Sequence, residues 1–136
     1  MRCDLGNIEV RRARHFVKDR LEAFLPSPSD ADFRADVMQA MDEAITNALH
    51  YCVKGTCSGP LLACGVVEDR LVIMVANSCQ KYTRQSAKEE QEGNYGQNVI
   101  FGLVEMNCKR MTVIPLIPEE GQDGYFILAF TVYSTS

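Results

Sequence analysis

At 136 residues the chain is one domain's worth, able to bury a single core and too short for two. Its 46% hydrophobic and 24% charged residues are those of an ordinary globular protein; it has no apolar run of bilayer length and no signal-peptide core, so a cytoplasmic, membrane-free protein is expected. A net charge of −4 lacks the basic footprint that nucleic-acid backbones require, which argues against a nucleic-acid partner.

Asn7 suits a helix N-cap, and Val10, Ala13, Phe16, Val17, Leu21 and Phe24 then recur at helical spacing up to the stiff connector around Pro26 and Pro28. Arg11, Arg12, Arg14, Lys18 and Arg20 give this helix a basic face, which reads as solvated surface or as a receiver for an acidic protein. Ser29 can cap a second helix whose apolar positions are Phe33, Val37, Ala40, Met41, Ala44, Ala48 and Cys52, with Gly55 placed to close it. After Gly59 and Pro60 the period changes. Residues 61–67 and 71–76 read as a β-hairpin, and 78–95 as a polar mobile loop. Val99, Ile100, Leu103, Val104 and Asn107 fit a third helix, and 111–117 with 125–133 form a final hairpin. Segregated helices and hairpin-linked strands specify an α+β fold: one domain over 1–136, a two-layer α/β sandwich with helices on one face of a mostly antiparallel sheet.

The six cysteines contain no Cys-x-x-Cys pair and only two histidines accompany them, so a tetrahedral zinc site is unsupported and reduced thiols are expected. Met38, Met41, Met74, Met106 and Met111 read as core or core edge, and His15 as surface. Chemistry concentrates in the second helix. Glu43 and Asn47 are one turn apart and share a face with Ala40, Ala44 and Ala48. A carboxylate and an amide carbonyl so placed offer two hard oxygen acceptors, which suit a hydrated Mg²⁺ and an attacking nucleophile. From spacing alone the default is simpler: an exposed Glu and Asn hydrogen-bonded at the surface.

The run Glu43-Ala-Ile-Thr-Asn47-Ala resembles the N-box of the GHKL ATPase and kinase superfamily, most closely its anti-sigma-factor serine kinase branch. The basic first helix and Gly96 at the start of the third resemble the same branch, with the elements in the family's order. The resemblance implies the Bergerat ATP-binding fold, with ATP and Mg²⁺ between the second and third helices under the 78–95 loop. It implies Glu43 as the base that activates a serine nucleophile and Asn47 as the Mg²⁺ ligand. The implied partners are a sigma factor or an antagonist regulatory protein, with a possible homodimer.

The remaining family positions are altered. The adenine-binding Asp-x-Gly corresponds to Asn77-Ser78-Cys79, where Asn77 keeps an acceptor oxygen without charge. The Gly-x-Gly of the lid becomes Asn94-Tyr95-Gly96, with Gly93 just before it. Tyr51 takes the place of a histidine, with His50 one residue early, and the Gly-Thr of the last hairpin becomes Gly124-Tyr125, a ring expected in the space adenine needs. Glu43, Asn47, Tyr51, Asn77, Gly93, Gly96 and Tyr125 are therefore the candidate site. The expected function is an anti-sigma-like switch with weak ATP binding and serine kinase chemistry. The alternative is a nucleotide-free protein-interaction module, a pseudokinase on the same fold. The ATP-binding domain of a sensor kinase is a third reading, without the helix bearing a phosphoacceptor His.

Overall fold

A computed structural model describes residues 7–53, 57–80 and 95–135. Helix α1 (Asn7–Phe24) buries Val17 and Leu21, one turn apart, and leaves solvent its charged face. The helix stops where Pro26 removes a backbone donor; Leu25, the last residue held, still donates to Leu21 O at 2.8 Å. A 3-10 turn (Pro28–Asp30) then leads into α2 (Ala31–Val53). Ser29, expected to cap α2, lies inside that 3-10 turn, which is itself capped by Ser27: the Ser27 hydroxyl accepts from Ser29 N, and Pro28 sits at the start of the turn, where a missing N–H costs nothing. Arg34 ties the connector down by donating to Leu25 O at 2.6 Å and Ser27 O at 2.7 Å.

The sheet order is β1-β2-β4-β3, antiparallel between all neighbours, from β1 (Cys57–Val67), β2 (Arg70–Cys79), β3 (Met111–Leu116) and β4 (Gly124–Tyr133). Strand β1 starts four residues earlier than the Gly59-Pro60 boundary implied, with a register shift between Ser58 and Leu61. Proline is tolerated there because β1 is an edge strand, and Pro115 sits in the other edge strand, β3, for the same reason. Glu68 turns the β1–β2 hairpin with a φ of 57°, a left-handed conformation that side chains disfavour. In the β3–β4 connection a Cβ on Gly124 would come within 3.0 Å of Pro118, so this position has no room for a side chain without a shift.

Helix α3 (Tyr95–Met106) contributes Ile100 and Leu103 to the same core as α1 and α2. That core meets one face of the sheet: Leu71, Ile73 and Val75 from β2, Leu128, Phe130 and Val132 from β4, Met111 from β3. Full burial of each large side chain is worth about 1.5–3 kcal/mol, so this layer holds the fold. The expected two-layer α+β arrangement, with helices on one side of the sheet, is what forms. Asn107, read as helical, instead finishes α3: its amide donates to Leu103 O at 2.9 Å and to Asp36 at 3.0 Å on α2. Arg110 closes the far end, paired with Asp30 at 2.8 Å, donating to Ser134 O at 2.7 Å and stacked 4.3 Å from the Phe33 ring centre. Met38, Met41 and Met111 are buried as expected; Met106 is 78% exposed and Met74 lies on the far face of the sheet.

Candidate functional site

The helical stripe of Ala40, Ala44 and Ala48 lets α2 approach the sheet closely, because none of the three projects beyond a methyl group. Asn47 rides beside that stripe and is buried; Asn77, on β2, is buried opposite it. The amide of Asn77 donates to Ala48 O at 3.0 Å, pinning the end of β2 to the helix that carries Asn47. Together with Ala44, Ala48, Val75, Phe126 and Leu128, the two asparagines enclose a cavity of about 10 Å³. That is room for one water at most. The Asn47 Nδ2 is buried there without a hydrogen-bond partner, a desolvation penalty of about 1–3 kcal/mol for a group serving packing alone.

Glu43 stands one turn before Asn47, half-buried and outside the cavity wall. Asp42 beside it is engaged elsewhere: Arg14 Nε donates to its two oxygens at 3.0 and 3.1 Å, joining α1 to α2. The basic face is thereby partly spent within the fold, since Lys18 lies 3.9 Å from Glu22 and Arg20 stacks 3.5 Å over Phe16, leaving Arg11 and Arg12 exposed. A larger depression of about 390 Å³ lies between α1 and α2, with Leu21 and Met38 in its floor and Lys18, Glu22 and Arg34 around it.

The remaining candidates divide. Tyr51 falls in the last turn of α2 and Gly96 in the first turn of α3, while Gly93 and residues 81–94 of the expected loop lie outside the described residues. Ser78 and Cys79, assigned to that loop, continue β2, and Tyr95 begins α3. Tyr125 is not in the cavity. Its register partner is Ser78, on the face away from the helices, and it is 52% exposed. The ring beside the asparagines is Phe126, paired directly with Asn77, one residue after the tyrosine expected there. A one-residue step along a strand exchanges the faces.

Asn47 and Asn77 fit a polar ligand at the α2 end, where an orphan amide already bears a desolvation cost. The β4 end does not fit an adenine as it stands, since ligand pockets run to about 300–1,000 Å³ and this wall is closed by Phe126. Among the described residues no three His, Cys, Asp or Glu side chains converge on a metal-sized site. Mg²⁺ would have Asn47 as its protein ligand and take its remaining oxygens from phosphate and water. Burial pushes the Cys64 thiol on β1 up from its usual value, with Arg20 opposing more weakly; this is the environment of a packed thiol rather than a reactive one. Among the described residues no helix is long and apolar enough to cross a membrane.

No protein-family model matches the chain, and no curated protein matches it significantly.

Proposed function

We propose that this chain is a cytoplasmic anti-sigma-type switch protein on a Bergerat-like fold, whose α2–β2 site takes ATP with Mg²⁺ weakly. The observation that carries the reading is the buried Asn47, its Nδ2 unpartnered, in a cavity shared with Asn77, two residues 30 positions apart that the N-box and Asp-x-Gly positions of the resembled family assign to one nucleotide. The element order and the single helical layer support it. Bound, ATP with Mg²⁺ supplies the phosphoryl group and the positive charge that steadies its transfer. Asn47 would hold the metal, the Glu43 carboxylate would take the proton from a serine hydroxyl of an antagonist protein, and Asn77 would face the base once the Phe126 ring had moved out of the cavity wall. The half-buried setting of Glu43, outside the cavity wall, suits that role, because a protein substrate must reach it from outside. Sigma factor and antagonist are the proposed partners.

Phe126 favours a second reading, the nucleotide-free interaction module, because its ring closes the cavity to about 10 Å³. Calorimetric titration with ATP and Mg²⁺ decides between them. Saturable binding to wild type that Asn47→Ala abolishes supports the switch with a nucleotide; absence of heat at millimolar ATP leaves the module.

A further inference from the structure

The β1–β2 hairpin sets two cysteines against each other. Cys57 and Cys79 are register partners at its open end, away from the turn at Glu68. Their pairing lies beyond the register shift between Ser58 and Leu61, where the ladder resumes with Ser58 opposite Ser78 and Cys57 opposite Cys79. Pro60, inside the irregular stretch, brings no N–H to the ladder, and among the described residues those two pairs are what joins β1 to β2 past it. Facing residues of an antiparallel ladder have Cα atoms about 5.5 Å apart in a hydrogen-bonded pair and about 4.5 Å apart in the other kind. Both separations fall inside the roughly 4.4–6.8 Å that a disulfide spans. Facing positions also share one face of the sheet. Cys64, on the same hairpin, stands opposite Ile73 and has no such counterpart.

We propose that Cys57 and Cys79 are a dithiol that a small-molecule disulfide, such as oxidised glutathione, converts to a cross-strand disulfide that clamps the open end of the hairpin. The thiolate of one cysteine attacks the small disulfide, forms a mixed disulfide and releases one thiolate. The second cysteine's thiolate then attacks the protein sulfur of that mixed disulfide, closes the Cys57–Cys79 bond and expels the other small thiolate. Two electrons pass from the protein to the small disulfide, which leaves as two thiols carrying the two protons. The register favours the internal bond over a second adduct, because the attacking sulfur is already held one strand spacing away and the closing step is intramolecular. The bond encloses the whole hairpin, so it removes conformational freedom from the unfolded chain. Two positions back along β2, Asn77 ties that strand to α2 through Ala48 O, and the bond would fasten β1 to a stretch that is itself anchored. The inference does not rest on nucleotide binding.

The test treats the whole reduced chain with oxidised glutathione, reads its intact mass, and maps linked peptides after digestion without reductant. Wild type is expected to become lighter by two hydrogens, with a bridge joining the peptides of Cys57 and Cys79 that dithiothreitol reverses. The oxidised chain is expected to melt about 5–10 °C above the reduced one. Cys57→Ser and Cys79→Ser should each lose the bridge and carry glutathione on the remaining cysteine of the pair, while Cys64→Val should keep the bridge. Should a serine variant fail to fold by circular dichroism, Cys57→Ala or Cys79→Ala takes its place. A bridge joining any other pair, or a bridge between two chains in place of the internal one, overturns the proposal. So do thiols at Cys57 and Cys79 that stay free or carry only glutathione, and so does an internal bridge that leaves the melting temperature unmoved.

Discussion

Replacing Phe126 by alanine separates the two functional readings. The ring is half-buried and forms the wall of the cavity that Asn47 and Asn77 share. A fully buried phenylalanine costs about 3–5 kcal/mol when cut to alanine, so a half-buried one should cost about 2 kcal/mol. For a domain of this length that lowers the melting temperature by about 5–9 °C. In return the space beside the asparagines grows from about 10 Å³ towards the ~150 Å³ at which an engineered cavity accepts a benzene-sized ring. If the site is built for a nucleotide and Phe126 obstructs the base, ATP with Mg²⁺ should bind Phe126→Ala more tightly than wild type. At ten times the dissociation constant the ligand returns about 1.4 kcal/mol, or about 3–6 °C of melting temperature. Differential scanning fluorimetry with ATP, ADP and adenosine reads both numbers on one sample. Tyr125→Thr is the control, because that ring lies on the other side of the sheet and its removal should leave the nucleotide response unchanged. A larger ATP response in Tyr125→Thr than in Phe126→Ala would sink the cavity assignment.

The other expectations concern single side chains. Asn47→Ala should abolish the ATP·Mg²⁺ shift while moving the stability of the free protein by less than about 1 kcal/mol, since lost packing is offset by removing an unpaired buried amide. Glu43→Gln should keep ATP binding and end phosphate transfer to a serine substrate, scored with radiolabelled ATP, because an amide does not accept the proton. Cys64 has a folded pKa above its unfolded value near 9.0, so its contribution to stability is full below that value and falls as pH rises through the folded pKa. Urea titrations from pH 8 to 11 should show that loss in wild type and not in Cys64→Val. Glu68→Gly should stabilise the protein by up to about 1 kcal/mol through relief of the left-handed φ, and a lower urea midpoint would refute that account of the turn.

The helices and the last hairpin were legible because a single face of each had to be apolar. In α1 the 3.6-residue spacing of Val17 and Leu21 admits one orientation, and in α2 the spacing of Phe33, Val37, Met41 and Ala44 does the same. The start of β1 was not legible, because Gly59 and Pro60 read as a break wherever a strand is assumed to be central. Only the sheet order reveals β1 as an edge, where a missing N–H faces outward. The cap at Ser27 was hidden similarly: Ser27 and Ser29 both precede acidic residues, and the choice rests on Pro28 lying between them.

The site was half legible, and the reason lies in β4. Glu43 and Asn47 sit on a helix, where spacing fixes which residues share a face, and Asn77 extends the inward row of Leu71, Ile73 and Val75 on β2. Tyr125 and Phe126 are adjacent on a strand in which Phe126, Leu128, Phe130 and Val132 form one apolar row and Tyr125, Ile127 and Ala129 form another. Strands that read apolar on both rows are usually covered on both sides, so alternation could not say which row faced the helices. The same double row that concealed Phe126 is what leaves the outer face of the sheet apolar in the single chain. Parity becomes fixed only once Asn77 is tied to Ala48 O and Phe130 enters the core, which sets Phe126 beside the asparagines and sends Tyr125 to the outer face of the sheet.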